Sequence, residues 1–523
     1  MSHVVYRIQR PFATHFDRAI GRVTVTAHMF RSRAGFLRVI FVVGLLVVML
    51  FAWSAYRDAL WLHEGVGRPM GVLLPLYAVD RGVLLGEIEG TTQRLMLAMA
   101  TAVVGVGLVA LSVARRWPTF VCLGLALLAT FSVNVLVARV PFGEQSFTSP
   151  FMRAGLEYFP DIPLVKDQPL KFIADYPKLN RRSYFGLLAL HPGTHPPGGV
   201  LFLWAGDKLF GPPPAPPRPK PTALQRLFGA GDPEDDRYSD RGLEAASWWA
   251  VSVTALAVIP AYVLAASVGG AAAARRLLPL YVATPNLITF GATCMDGVFL
   301  TFTLTALAAG FLAMKRWSIV RPIVAGVALW LATFFTYAAI AVPVLMGAYA
   351  ICFGFRKPRE AVRMLVRAAL VGVVFVALQL AAERWLGYDL RATVEAAIRR
   401  DFAGVRMTGY ESFTIWRNIS LGNLLAFTFG SGLAIASLFL VALFARRVPW
   451  RARAFSIAFP LAVLAMACST LFSLEVERVW MFLTPAALIV ATRAFHGWML
   501  WIVVLALSVA QALVMEWNFN TYW

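Results

Sequence analysis

The run LPLYVATPNLITFGATCMDGVFLTFTLTALAAGFLAMKR, residues 278–316, decides the fold. Two apolar stretches, about 278–294 and about 298–313, are separated by a single carboxylate, Asp296, and closed by Lys315-Arg316. Each approaches the roughly 20 residues that carry a helix across a hydrocarbon core of about 30 Å. Neither has the polar face that a helix on the surface of a soluble domain must show water. In lipid a segment must satisfy its own backbone hydrogen bonds, and a helix does so. The pair therefore reads as a transmembrane hairpin, with Asp296 at its outer turn and the basic pair inside, as the positive-inside rule places it.

The same pattern repeats outward along the 523 residues, of which 59% are hydrophobic and 15% charged. Mean hydropathy is +0.67. Soluble domains run nearer 25% charged. Spans are expected at about 37–55, 94–113, 118–138, 246–268, 278–294, 298–313, 363–382 and 455–471. A hairpin turning near Tyr337 and spans ending near Arg446-Arg447, near Arg493 and at the C-terminus complete the set. This predicts an all-α polytopic integral membrane protein with about thirteen spans, N-terminus cytoplasmic and C-terminus extracytoplasmic, in a cell membrane. Residues 1–36 form a basic tail, 37–117 hold two spans, and 118–495 form the core. The core carries outside loops 139–245 and 383–423, and 496–523 form the final span. Gly198–Gly211 is too short to cross and holds Asp207 and Lys208, so it reads as an interfacial or re-entrant helix. The net charge of +20 sits in short loop clusters, which excludes a nucleic-acid surface, where basic residues form continuous patches. Cys122, Cys294, Cys352 and Cys468 are scattered with no metal or disulfide spacing.

This threading collects Glu144, Asp161, Asp175, His191, His195, Asp296, Glu475 and Glu477 at one face. A cavity at a membrane surface would be assembled in this way. The sharpest local signal is His191-Pro-Gly-Thr-His195-Pro-Pro-Gly198. Its prolines suit a helix's first turn and present His195 at the helix mouth. The plain alternative is a proline-rich helix start with incidental histidines. Asp296 is either functional, since carboxylates at membrane depth are costly, or a cap on the following span. Arg406, Arg417 and Arg478 stand among aromatics, and their planar forks fit phosphate oxygens. Arg478 has Glu475 and Glu477 as ready local partners. Arg399 and Arg400 lie on a stretch whose apolar face, Leu390, Val394, Ala397 and Ile398, suits the membrane surface, so both read as a headgroup-facing rim. Tyr410 and Trp416 could stack on a sugar, although interfacial anchoring is the commoner role. No Walker loop, dinucleotide fingerprint, zinc spacing or nucleophile elbow occurs.

The order of these motifs resembles the C-fold glycosyltransferases, the GT-C superfamily, which includes protein O-mannosyltransferases and aminoarabinose-lipid transferases. T-H-P-P-G after a long polar loop, T-P-N-L-I-T-F-G-A-T-C-M-D, R-M-T-G-Y-E-S-F-T-I-W-R-N-I and S-L-E-V-E-R-V-W-M-F-L-T-P carry the resemblance, over roughly residues 118–495. It implies interfacial helices in the first outside loop. It also implies transfer of a sugar from a polyprenyl-phosphate donor to a lipid, glycan or protein acceptor. Glu144 or Asp161 would be the base, while Asp296 and His195 would shape the site. His191, Arg406, Tyr410, Arg417, Glu475 and Arg478 would bind substrate and phosphate. No cofactor is implied with certainty, and Mg or Mn is left open. The rivals are a transporter or flippase, and a polymerase or ligase of cell-envelope polysaccharide.

Overall fold

The computed structural model describes residues 43–44, 91–140, 143, 147–148, 151, 158–181, 188–211, 240–292, 294–404, 413–445, 448–469, 476–494 and 498–518. No strand occurs among them. The helices are α1 (Thr91–Ala114), α2 (Thr119–Ala138), α3 (Pro169–Arg181), α4 (Leu190–Thr194), α5 (Gly198–Phe210), α6 (Asp240–Leu256) and α7 (Val258–Gly269). Then come α8 (Ala271–Ala283), α9 (Pro285–Thr289), α10 (Asp296–Lys315), α11 (Val320–Phe335), α12 (Ala341–Gly354), α13 (Pro358–Leu386) and α14 (Leu390–Gly404). The last are α15 (Phe413–Ser431), α16 (Leu433–Leu443), α17 (Trp450–Cys468), α18 (Val476–Val479), α19 (Thr484–Ala491) and α20 (Trp498–Asn518).

Eight helices among the described residues are long and apolar enough to cross a membrane: α1, α2, α6 running on into α7, α10, α12 with its leading turn, α13, α17 and α20. Their bounds match the expected spans closely. The outer surface confirms the solvent they need. Along α13, Val373 is 63% and Leu380 61% exposed, with few buried neighbours between them. Apolar exposure along a whole helix is untenable in water and ordinary in lipid. Inside, α10 packs on α7 and α11, α11 on α13, and α12 on α17, around a core rich in Ala, Leu and Val.

Two expected spans are not straight helices. The stretch 278–294 breaks at Thr284, where the chain turns extended (ψ 126°) before Pro285 starts α9. Proline disfavours helical backbone in the residue before it, and this accounts for the break. The span before Arg446-Arg447 is bent by 107° between α15 and α16. The hinge is Gly432, at φ +101°, a conformation open to glycine and strained for other residues. One side chain bridges the backbone on the two sides of the hinge. Gln511 of α20 accepts from Leu433 N–H at 2.8 Å and donates to the Phe429 carbonyl at 2.7 Å. The expected span ending near Arg493 is short: a 3-10 turn, Trp480–Leu483, leading into α19. The first expected span, 37–55, lies outside the described residues except 43–44.

Short helices between α2 and α6 form a cap on the bundle. A 3-10 turn, Phe159–Val165, packs on α5, and α5 packs on α6. The second polar segment joins them: α14 packs against both α3 and α4. Their shared core includes Phe159, Ile162, Tyr176, Val200, Leu203 and Phe299.

Candidate functional site

The cap holds the chain from Leu188 to Gly198 in one shape. Pro196 forces its predecessor extended, and His195 sits at φ −119°, ψ 166°. Helix α5 then begins at Gly198, with Pro197 in the capping position. The segment's backbone carbonyls are taken up from behind by α3. Tyr176 Oη donates to the Pro192 carbonyl, and to that of His195 at 3.1 Å. Asn180 Nδ2 donates to the Gly193 carbonyl at 2.6 Å. The two side chains are four residues apart and so share one helix face.

Asp161 belongs to this backing. It is 4% exposed and its carboxylate accepts from Ala189 N–H at 2.8 Å. Burial raises its pKa to about 7, against the opposing pull of that hydrogen bond and of Arg400. The reading of Arg399 and Arg400 as a common rim does not hold for Arg400. Arg399 is exposed beside Glu395. Arg400 turns inward, donating to the Leu188 carbonyl at 2.6 Å and to Asn180 Oδ1 at 3.0 Å. The difference arises because α3 and α4 lie against that face of α14 and cover it.

With its backbone so held, His195 directs its ring toward α10. The ring lies 5.2 Å from that of Phe299 and 6.1 Å from that of Tyr158. Phe299 is three residues beyond Asp296, on the same helix face. Burial lowers the His195 pKa to about 4, Asp296 opposes the shift, and His191 and Arg478 add to it. The imidazole is therefore neutral near pH 7. Its Nδ1 is sealed from solvent and has no hydrogen-bond partner among the described residues.

Asp296, at the start of α10, stands with its Oδ2 2.9 Å from Arg478 Nε. Both are buried, at 9% and 5% exposure. Arg478 thus has a buried partner from a distant segment, besides the local Glu475 and Glu477 read from the sequence, whose side chains lie outside the described residues. Packing explains the Asp296 pairing, since α10 lies against the 3-10 turn that begins two residues after Arg478. His191, on α4, is half-buried within electrostatic reach of His195. Arg417 is exposed near the start of α15. Asp175 is an ordinary surface charge, paired with Lys178 at 3.0 Å. Glu144, Arg406, Tyr410 and Glu475 lie outside the described residues. Among the described residues no three His, Cys, Asp or Glu side chains converge as metal ligands.

The site thus joins three distant stretches: the His195 loop, the start of α10, and the Arg478 turn. Sequence reasoning missed Tyr176 and Asn180 and placed Arg400 on the membrane rim instead of behind the loop. Tyr176 and Asn180 carried a signal in their four-residue spacing. Gly198 shows how tightly the loop is seated, because a Cβ there would run into the Phe334 backbone carbonyl. Gly198→Ala is expected to cost about 1–3 kcal/mol, since backbone yields less readily than a side chain. Thermal unfolding of the purified protein in detergent checks this.

No family model and no curated protein matches the chain. Among solved structures, one similar chain is the oligosaccharyltransferase of Archaeoglobus fulgidus in complex with Zn and sulfate. It has 12% identity and a TM-score of 0.41, over 75% of this chain and 53% of that one. Another is the oligosaccharyltransferase AglB of the same organism, with an inhibitory peptide and a dolichol-phosphate. It has 12% identity and a TM-score of 0.39, over 75% of this chain and 56% of that one. The present chain spans about half the length of these two structures.

Proposed function

We propose that this chain is a membrane glycosyltransferase, moving a sugar from a polyprenyl-phosphate-linked donor to a lipid, glycan or protein acceptor at the extracytoplasmic face. One observation carries the reading: the buried Asp296–Arg478 pair beside the neutral His195 ring. A bundle this apolar bears the desolvation of such groups at a stability cost, and ionisable residues kept there mark function by default. The motif order noted in the sequence supports the same class of enzyme.

In the proposed step the acceptor hydroxyl loses its proton to a carboxylate, and its oxygen forms a bond to the sugar's anomeric carbon. The bond from that carbon to the phosphate oxygen breaks, and the electron pair leaves with the phosphate. Asp296 is the proposed base, with Arg478 fixing the direction of its carboxylate. His195, uncharged, offers a ring nitrogen to an acceptor or sugar hydroxyl. Asp161 holds the loop in this scheme, which leaves Glu144 as the alternative base. Arg406 and Arg417 are the proposed stabilisers of the departing phosphate. Lipids of the surrounding membrane would hold the carrier's tail.

The test uses membrane vesicles and a panel of radiolabelled polyprenyl-phosphate sugars. Wild type should move label into an acceptor fraction, and Asp296→Asn should slow this about 10²–10⁴-fold. Full transfer by both Asp296→Asn and Glu144→Gln would remove the proposed site. Label that crosses the membrane still attached to its carrier would instead identify a flippase.

A further inference from the structure

The backing of the His195 loop ends in one side chain from the second polar segment. Arg400 of α14 reaches across to α3 and to the loop itself, through Asn180 Oδ1 at 3.0 Å and the Leu188 carbonyl at 2.6 Å. Asn180 in turn holds the Gly193 carbonyl at 2.6 Å. Asp161, which holds Ala189 N–H, feels the Arg400 charge. The fit leaves no slack: a Cβ at Gly193 would overlap the Arg400 guanidinium. A guanidinium suits this task because its planar fork serves two acceptors in fixed directions, which an ammonium does not.

From this geometry we infer that Arg400 is a positioning residue, a latch by which α14 fixes the loop that carries His195. It touches neither the His195 ring nor the Asp296–Arg478 pair in any described contact, and it acts through the backbone at Leu188 and Gly193. The consequence for catalysis rests on the glycosyltransferase reading above, while the latch itself does not. A loop released by about 1 Å loses on the order of 10²-fold in rate when its side chain serves the reaction.

Two readouts on the full-length protein test the latch. The first is independent of turnover: the rate at which diethylpyrocarbonate modifies His195, resolved by peptide mass spectrometry. Arg400→Ala should raise that rate about tenfold, and millimolar guanidinium ion should lower it again. Gly193→Ala, which keeps Arg400 but displaces it, should reproduce the rise. Arg399→Ala, one residue away and exposed, should not. The second readout is transfer itself. Arg400→Ala should lower kcat about 100-fold with KM little changed, and guanidinium should restore part of the loss. Unchanged His195 reactivity in both Arg400→Ala and Gly193→Ala overturns the latch. A wild type inactive with every donor, but with His195 exposed by Arg400→Ala, refutes the glycosyltransferase reading and leaves the latch standing. An active wild type whose kcat is unmoved by Arg400→Ala refutes the positioning role.

Discussion

Arg478→Met is expected to destabilise the protein by about 3–5 kcal/mol, because it leaves the Asp296 carboxylate buried without its partner. The pair is 2.9 Å apart, with both side chains nearly sealed from solvent. Breaking such a pair from one side costs far more than the pair contributes, since the remaining charge keeps its desolvation penalty. Removing both charges should therefore repair most of the damage. The double variant Asp296→Leu/Arg478→Met is expected to unfold within about 1–2 kcal/mol of wild type. Under the proposed function it should still transfer no sugar. Unfolding in mixed micelles, followed by helix content, measures both changes. If the double variant is as unstable as Arg478→Met alone, the damage does not come from an orphaned charge.

Asp161→Asn should change the pH dependence of stability in a defined direction. In the unfolded chain this carboxyl releases its proton near 3.8, and in the folded protein near 7, chiefly because it is buried. Between those values the folded state holds more protons than the unfolded state, so the contribution of Asp161 falls as pH rises. The penalty is absent below about pH 3.8 and complete above about pH 7, where it reaches roughly 4 kcal/mol. An asparagine keeps the acceptor for Ala189 N–H and has no proton to lose. Relative to wild type, Asp161→Asn should gain stability from pH 5 up to about pH 7 and level off by pH 8. His195 acts with the opposite sign. Its folded value of about 4 lies below the ordinary 6.5, so its contribution is lost as pH falls through that window. Comparing Asp161→Asn with wild type at each pH cancels the histidine and isolates the carboxyl. A difference that stays flat from pH 5 to pH 8 would mean that the buried carboxyl is not holding its proton.

The helical, membrane-spanning character was legible because it depends on composition and run length, which need no tertiary information. Asp296 stood out for the same reason, as a lone carboxylate between two apolar runs. His195 was visible through Pro196 and Pro197, whose backbone limits are local. The partners of these residues were not visible. Arg478 has two carboxylates beside it in the chain, and nothing in one sequence says that a helix start far upstream also comes within 2.9 Å of it. Arg400 sits in a stretch with the composition of a surface helix, and its inward turn has meaning only once α3 and α4 lie across it. The two broken spans carried their signals in Pro285 and Gly432. Hydropathy averages over such residues, so run length alone predicted straight helices.

At the bend the Leu433 N–H opens a new helix and has no carbonyl a turn earlier to meet, while the Phe429 carbonyl accepts from the Gly432 N–H and has a second lone pair to offer. A single amide, Gln511, bonds to both. The final helix is therefore more than a trailing anchor. It supplies the missing rung of a ladder that belongs to an earlier part of the chain. Removing that rung would take from the Leu433 N–H the side chain that serves it at a bend of 107°.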